Sequence, residues 1–450
     1  MAKSKQKFIC QNCEAVFYKW AGRCENCGEW NSLVEQTLPE MGRSAVARSI
    51  NNGKPLQVNS LNSIPFEEGM KRLKTGIGDL DIILGGGILP GGVTLLAGQP
   101  GIGKSTLLLQ TVSNIAHNYD VLYISGEESA GQVRLRAVRL GADKSSNLNF
   151  AASTSADDIA ATIRTGKYQL VVVDSVQTLH LNEITSSPGS VSQVTNSSNA
   201  IINAAKETGT SVIFVGHVTK EGSIAGPKIL EHLVDVVLQF EGDRYGGFKI
   251  VRAVKNRYGS TNEAAIFEMG EKGLRIVENP SAALLAERRD EDGSVVLATL
   301  EGARPLLVEI QALVNSTNFG YPKRTASGFD INRLNLLIAV LERRTKLKLS
   351  DKDIYINVVG GIKISDPAAD LAICMAIASA SAGRRLNYGT VVFGEVGLGG
   401  EVRSVTSIEK RIAEAKKLGF TKALAPRTSK DDFIIGVDNV RSTLIEYLQK

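Results

Sequence analysis

Residues 98–105 read Gly-Gln-Pro-Gly-Ile-Gly-Lys-Ser, the pattern G-x4-G-K-S, and they constrain the fold more than any other stretch of the 450-residue chain. An apolar run at residues 93–97 precedes them, and a helical run, Thr106-Leu107-Leu108-Leu109-Gln110, follows. A glycine-rich bend between strand and helix lets backbone N–H groups close around phosphate oxygens, and the helix N-terminus adds positive potential. Such bends form at the carboxyl end of a strand in a parallel sheet, so α/β architecture is expected here. The candidate nucleotide-binding residues are Gly98, Gln99, Pro100, Gly101, Ile102, Gly103, Lys104, Ser105 and Thr106. Lys104 is expected to reach the β- and γ-phosphates of ATP, and the Ser105 hydroxyl to bind Mg2+. A ligand-free glycine turn is the competing reading, and the strand, loop and helix together weigh against it.

The runs at residues 121–125, 170–174, 212–215 and 236–240 are short, apolar and rich in β-branched residues, and are expected as companion strands. Ligands collect at the carboxyl ends of such strands, and chemistry-bearing side chains fall there. Asp174 ends Leu170–Asp174 and is the Walker B candidate, holding Mg2+ through water. Hydrolysis also needs a group to orient or deprotonate the attacking water. Glu127 and Glu128 lie just past residue 125. Glu127 is the favoured general base and Glu128 the alternative, against a plain solvated acidic turn. His217 follows the 212–215 run and reads equally as a γ-phosphate sensor or as a core or capping histidine.

Four of the five cysteines fall within 18 residues as Cys10-x2-Cys13 and Cys24-x2-Cys27. Each pair can offer two thiolates from one turn, and two turns close a tetrahedron suited to structural Zn2+. Thirty residues bury too little core to fold alone, so metal binding would supply the folding energy. Cys374 lies in an apolar helical run and reads as core. Elsewhere composition excludes more than it identifies. With 43% hydrophobic and 22% charged residues, the chain is not wholly disordered. A net charge of +5 is too small to identify a polyanion partner, so any basic surface must be local. The longest uncharged stretch, residues 82–103, holds eight Gly and two Pro and does not suit a membrane helix. The chain therefore reads as cytoplasmic, without a membrane partner.

Four pieces are expected: a zinc module at 1–30, a Ser/Asn/Gly/Pro-bearing linker at 31–65, an ATPase domain at 66–275 and a final domain at 276–450. Residues 244–258 carry five basic and no acidic residues, and Lys255-Asn256-Arg257-Tyr258-Gly259 is their sharpest part. Lys255 and Arg257 suit completion of a neighbouring subunit's ATP site or contact with nucleic-acid phosphates, against a solvated basic strand face. Polar loops at 181–194 and 220–228, the latter carrying Lys220 and Lys228, are candidates to line a channel or to act as lids. A second basic cluster at 323–348 includes Arg343-Arg344-Thr345-Lys346 and reads as a DNA surface or an ordinary helix end.

The cysteine module, Thr75-Gly76-Ile77, GQPGIGKST, the Lys255-to-Gly259 motif and the final domain stand in the order that resembles the bacterial DNA repair protein RadA (Sms) family, over about residues 8–450. Tyr258 stands where that family usually has Phe, and Thr195-Asn196 where it has Arg-Glu. The resemblance implies a RecA-like P-loop ATPase core assembled as a homo-hexameric ring. It implies a DNA-dependent ATPase that moves along single-stranded DNA and drives branch migration, with branched DNA and recombinase or replication proteins as partners. Lys104, Ser105 and Asp174 carry over to ATP and Mg2+, Glu127 to the catalytic glutamate, and Lys255 and Arg257 to nucleotide–DNA coupling. The final α+β domain resembles the proteolytic domain of Lon, which uses a serine and a lysine. Ala368 occupies the serine position, with Ser365 nearby, and Glu409 the lysine position, with Lys410 adjacent. Covalent catalysis is then not expected, and the domain reads as a scaffold for assembly and DNA binding. An ATP-dependent peptidase and a non-enzymatic ATP-switched adaptor are the alternatives.

Overall fold

The computed structural model describes residues 7–10, 15–30, 32–36, 60, 71–217, 229–242, 247–317, 320–427 and 431–448. The chain divides into two compact units, 1–68 and 69–450.

In the first unit, β1 (Lys7–Cys10) pairs antiparallel with β2 (Val16–Phe17) and β3 (Leu33–Gln36). Strand β3 lies within the span expected as linker. A two-stranded ribbon is marginal by itself, and β3 adds a third strand with Leu33 opposite Cys10. Among the described residues, Cys10, Cys24 and Leu33 form its core, flanked by Phe8, Phe17 and Ala21.

The second unit opens with α1 (Gly78–Ile83) and β4 (Val93–Gly98), then alternates α2 (Lys104–Ile115), β5 (Val121–Ser125), α3 (Ala130–Leu140), β6 (Leu148–Ala152), α4 (Ala156–Arg164), β7 (Leu170–Asp174), α5 (Val191–Thr208), β8 (Ser211–His217), α6 (Ile229–Leu233) and β9 (Val236–Gly242). Antiparallel strands β10 (Phe248–Asn256), β11 (Ala264–Gly270) and β12 (Gly273–Ile276) extend the sheet. The nine-stranded order is β12-β11-β10-β9-β4-β8-β7-β5-β6, with the pairs from β9 to β6 parallel. All five expected strands are present and adjacent. They read as continuous apolar runs because helices cover both faces, and every residue of β4, β5 and β7 is buried.

A second sheet follows α7 (Pro280–Leu285). Its strands are β13 (Ser294–Glu301), β14 (Arg304–Ser316), β15 (Arg324–Ser327), β16 (Lys352–Val358) and β17 (Thr390–Val392), then, after the separate ribbon β18 (Glu395–Val396) and β19 (Val402–Arg403), β20 (Lys422–Pro426) and β21 (Ile434–Val437). Helices α8 (Ile331–Thr345), α9 (Ala369–Ala382), α10 (Ile408–Lys417) and α11 (Val440–Tyr447) complete it. Helix α9 is apolar on all sides and sits in the core. Ile250, Ala264 and Ile266 of the first sheet share one buried cluster with Val295 and Leu307 of the second. Ion pairs tie the second sheet to the elements before it: Arg304 with Asp79 of α1 at 2.8 Å and Glu301 with Arg252 of β10 at 3.1 Å. Among the described residues no helix is long and apolar enough to cross a membrane.

Candidate nucleotide and metal sites

The loop after β4 bends where only glycine fits easily. A Cβ on Gly98 would lie 2.6 Å from the Phe240 carbonyl oxygen, and Gly103 has φ +118°. Gly103 also serves as N-cap of α2, with no side-chain cap bond, so no side chain occupies the first-turn N–H groups that suit an anion. The loop opens onto a cavity of about 350 Å³ lined by Lys104, Ser105, Thr106, Glu127, Asp174 and His217 among others.

Lys104 is 5% exposed. Its Nζ donates to the carbonyls of Gly98 at 2.8 Å and Gln99 at 3.0 Å, and lies 3.1 Å from His217 Nδ1. Burial lowers the ammonium to about 8, partly opposed by Asp174 and Glu127. Asp174 Oδ2 accepts from Ser105 Oγ at 2.7 Å and from the Tyr123 hydroxyl at 2.5 Å. Glu127 Oε1 accepts from Ser175 Oγ and lies 3.3 Å from His217 Nε2. The His217 hydrogen bond, then Ser175 and the nearby Lys104 charge, hold its carboxyl at about 2 against the opposing effect of burial. His217 thus bridges Lys104 and Glu127. The tautomer with its proton on Nε2 satisfies both contacts, accepting at Nδ1 and donating to Glu127. The two candidate bases are not equivalent. Both line the cavity, but both Glu128 oxygens accept from Arg136, at 2.8 and 2.5 Å, whereas Glu127 contacts Ser175 and His217.

This donor set fits a triphosphate and a hard cation. A buried ammonium would meet phosphate oxygens, a hydroxyl and a carboxylate 2.7 Å apart suit Mg2+, and Ser105, Asp174 and Lys104 would hold the pair. The bound cation would neutralise phosphate charge. The chain's own residues align Asp174, through Ser105 and Tyr123, and fix Glu127 beside the cavity through Ser175 and His217.

The Lys255-to-Gly259 motif lies at the other end of the sheet. Gly98 pairs with Phe240, whereas Thr94 and Asn256 both pair with Val236. Four strand residues, roughly 13 Å, separate the two levels. Lys255 Nζ donates to the carbonyls of Glu231, His232 and Val234 at 2.7, 3.3 and 2.7 Å, closing the end of α6. Burial, then the Arg257 charge, lower its ammonium from the usual value. Arg257 Nη1 donates to Asp235 Oδ1 at 3.0 Å, and Asp235 Oδ2 accepts from the Val93 N–H at 3.0 Å. Burial, then the nearby Asp235 charge, push the Tyr258 phenol above its usual value. Arg257 remains 51% exposed. The basic run is not an open face. Lys249 is buried, and Arg252 pairs with Glu241 and Glu301.

Cys10, Cys24 and Cys27 bring their sulfurs within 4.8 Å of one another, and the Cys10 and Cys27 sulfurs lie 3.6 Å apart. Tetrahedral zinc thiolates place sulfurs about 3.8 Å apart, so these three fit a metal, with Cys13 outside the described residues. Lys220 and Lys228 also lie outside them. The 181–194 segment is ordered: Gln193, 2% exposed, bonds the backbone of Leu181, Ile184 and Ser186. In the second sheet's domain, Ala368 is fully buried at the start of α9, Ser365 and Glu409 are exposed, and Lys410 Nζ donates to the Ala303 carbonyl at 3.3 Å. The ion pair nearby is Arg411 with Asp366 at 2.7 Å. Arg343 and Arg344 close the last turn of α8, where cations suit the dipole, and Arg344 Nε donates to the Leu398 carbonyl at 3.3 Å.

No sequence motif marks a role for Tyr123, Ser175, Asp235 or the Arg411–Asp366 pair. Their only signal is polarity at strand ends or inside apolar runs, and the partner is visible only after folding.

Three family models match along the chain: "Rubredoxin metal binding domain" at 8–35, "AAA domain" at 69–223 and "Subunit ChlI of Mg-chelatase" at 334–429. The DNA repair protein RadA of Bacillus subtilis is 48% identical over 99% of both chains. That of Pseudomonas aeruginosa is 46% identical over 95% of this chain and 94% of its own, and that of Listeria monocytogenes 45% over 99% of both. The fold is a RecA-like P-loop core with a zinc-ribbon module and a Lon-protease-like α+β domain. Nearly end-to-end likeness, together with a phosphate loop set against a Walker-type carboxylate, makes the chain a member of the DNA repair protein RadA family and an ATP hydrolase.

Proposed function

We propose that this chain is a DNA-dependent ATPase motor that binds single-stranded DNA and promotes branch migration of recombination intermediates. It binds ATP with Mg2+ through Gly98–Thr106 and Asp174, uses Glu127 to orient and deprotonate water, and carries structural Zn2+ on Cys10, Cys13, Cys24 and Cys27. The observation that carries the motor reading is the distance between Arg257 and its own phosphate loop. They lie at opposite ends of the sheet, so Arg257 can meet a nucleotide only on a neighbouring copy. That supports a closed head-to-tail ring, with six copies as the working number.

Coupling runs through His217. It contacts both Lys104 and Glu127. A γ-phosphate competing for Lys104 would release it, and the next residues along the chain, 218–228, carry Lys220 and Lys228. Nothing favours the peptidase reading: Ala368 has no hydroxyl and is fully buried.

The test is ATP turnover by the full chain at low salt, with and without single-stranded DNA. Stimulation is expected, and turnover indifferent to DNA would sink the motor. Arg257→Ala should lose turnover while still binding ATP, and mixing it with Asp174→Ala should restore part of the rate. No restoration at any ratio would remove the role across subunits.

A further inference from the structure

Tyr123 lies outside the phosphate loop and in no motif. It is the third residue of β5, opposite Val172 of β7, two positions before the Ser125–Asp174 pair. Its ring belongs to the buried cluster with Leu107, Leu109 and Val133 and is 2% exposed. Packing there would be served equally by Phe. The hydroxyl is a different matter, because a buried phenol needs an acceptor. Its acceptor is the Walker carboxylate: Tyr123 donates to Asp174 Oδ2 at 2.5 Å, the oxygen that Ser105 also reaches at 2.7 Å. Two donors from different elements, a strand and a helix N-terminus, converge on one oxygen of a carboxylate that lines the cavity.

We propose that Tyr123 is a positioning residue for the divalent cation that accompanies the nucleotide: its hydroxyl fixes the Asp174 carboxylate in the orientation that receives the hydrated ion. Burial, and then the Asp174 charge, push the phenol well above its ordinary value. Partners of this kind hold a ligating carboxylate still, so that binding does not have to order it. The inference rests on reading the Lys104–Asp174 cavity as the nucleotide site.

The test uses the full chain and Tyr123→Phe, which keeps the ring. Fluorescent N-methylanthraniloyl-ADP is titrated in EDTA and at rising Mg2+, and Mn2+ binding in the presence of ADP is followed by electron paramagnetic resonance. ADP binding in EDTA should be unchanged, while the Mg2+ midpoint and the Mn2+ dissociation constant rise roughly tenfold. An unchanged Mg2+ midpoint overturns the proposal, whatever happens to thermal stability, because a purely structural hydroxyl would not move it. Should the variant fail to fold, 3-fluorotyrosine at position 123 keeps the hydroxyl and gives a second readout. Its fluorine resonance should shift on adding Mg2+ to the ADP complex, and a resonance blind to the metal overturns the proposal. Wild-type protein that binds no ADP, with or without Mg2+, would instead remove the nucleotide reading itself.

Discussion

Helices α2 and α9 begin alike and end up as opposites. Each follows a loop, and neither has a side-chain cap at its N-terminus. At α2 the first residues are Lys104, Ser105 and Thr106, and all three line the cavity. At α9 the corresponding backbone is already spent. The N–H groups of Ala369, Asp370 and Leu371 go to the carbonyls of Asp366, Pro367 and Gly394, and that of Ala368 goes to the Asp366 carboxylate. Asp370, 1% exposed, is held by Arg333, and Asp366 by the fully buried Arg411. A helix start is therefore a ligand site only when its donors face space that a ligand can enter. Filled with protein acceptors, the same element is a structural joint.

Lys104→Ala tests the open side hardest. It removes the one buried cation at the phosphate loop, and turnover should fall about 10²–10³-fold or to background. Near-normal hydrolysis in the variant would show that the cavity is not the catalytic site. Asp366→Ala tests the closed side. It strands the Arg411 guanidinium in the core and should cost about 3–5 kcal/mol in urea unfolding, with ATP binding intact in the folded fraction. A loss near zero would mean that the joint at α9 contributes little to stability.

The smallest effect is a proton. Burial favours neutral Lys104, so its ammonium loses its charge as pH rises through about 8. Bound phosphates favour the charged form and pull the value back up. Nucleotide binding should therefore draw more protons onto Lys104 at pH 8.5 than at pH 6.5. Calorimetry in two buffers of different ionisation enthalpy measures the difference. Equal uptake at both pH values would place the titrating group elsewhere.

Much of the open site is legible in the sequence because it is local. Gly98 to Thr106 are contiguous, and Asp174 and Glu127 mark themselves as acids at the ends of apolar runs. The choice between Glu127 and Glu128 is not legible, since both are adjacent and acidic. Arg136, eight residues beyond Glu128, occupies both of its oxygens only because α3 turns it back. The strand Leu33–Gln36 is hidden for a related reason, since its alternation is short and its pairing with β1 is a long-range event.

Sequence alone determined the kind of chemistry available: a glycine bend with lysine and serine, carboxylates at strand ends, and paired cysteines, each set by residues a few positions apart. Tertiary structure decided which of those groups are free to use it. The sheet register carried Arg257 away from its own phosphate loop, Asp366 and neighbouring carbonyls closed the start of α9, and β5 brought the Tyr123 hydroxyl to Asp174 from 51 positions away. The physical reason is that hydrogen-bond donors and charges act over a few ångströms in space, and chain separation says little about that distance until the backbone is folded.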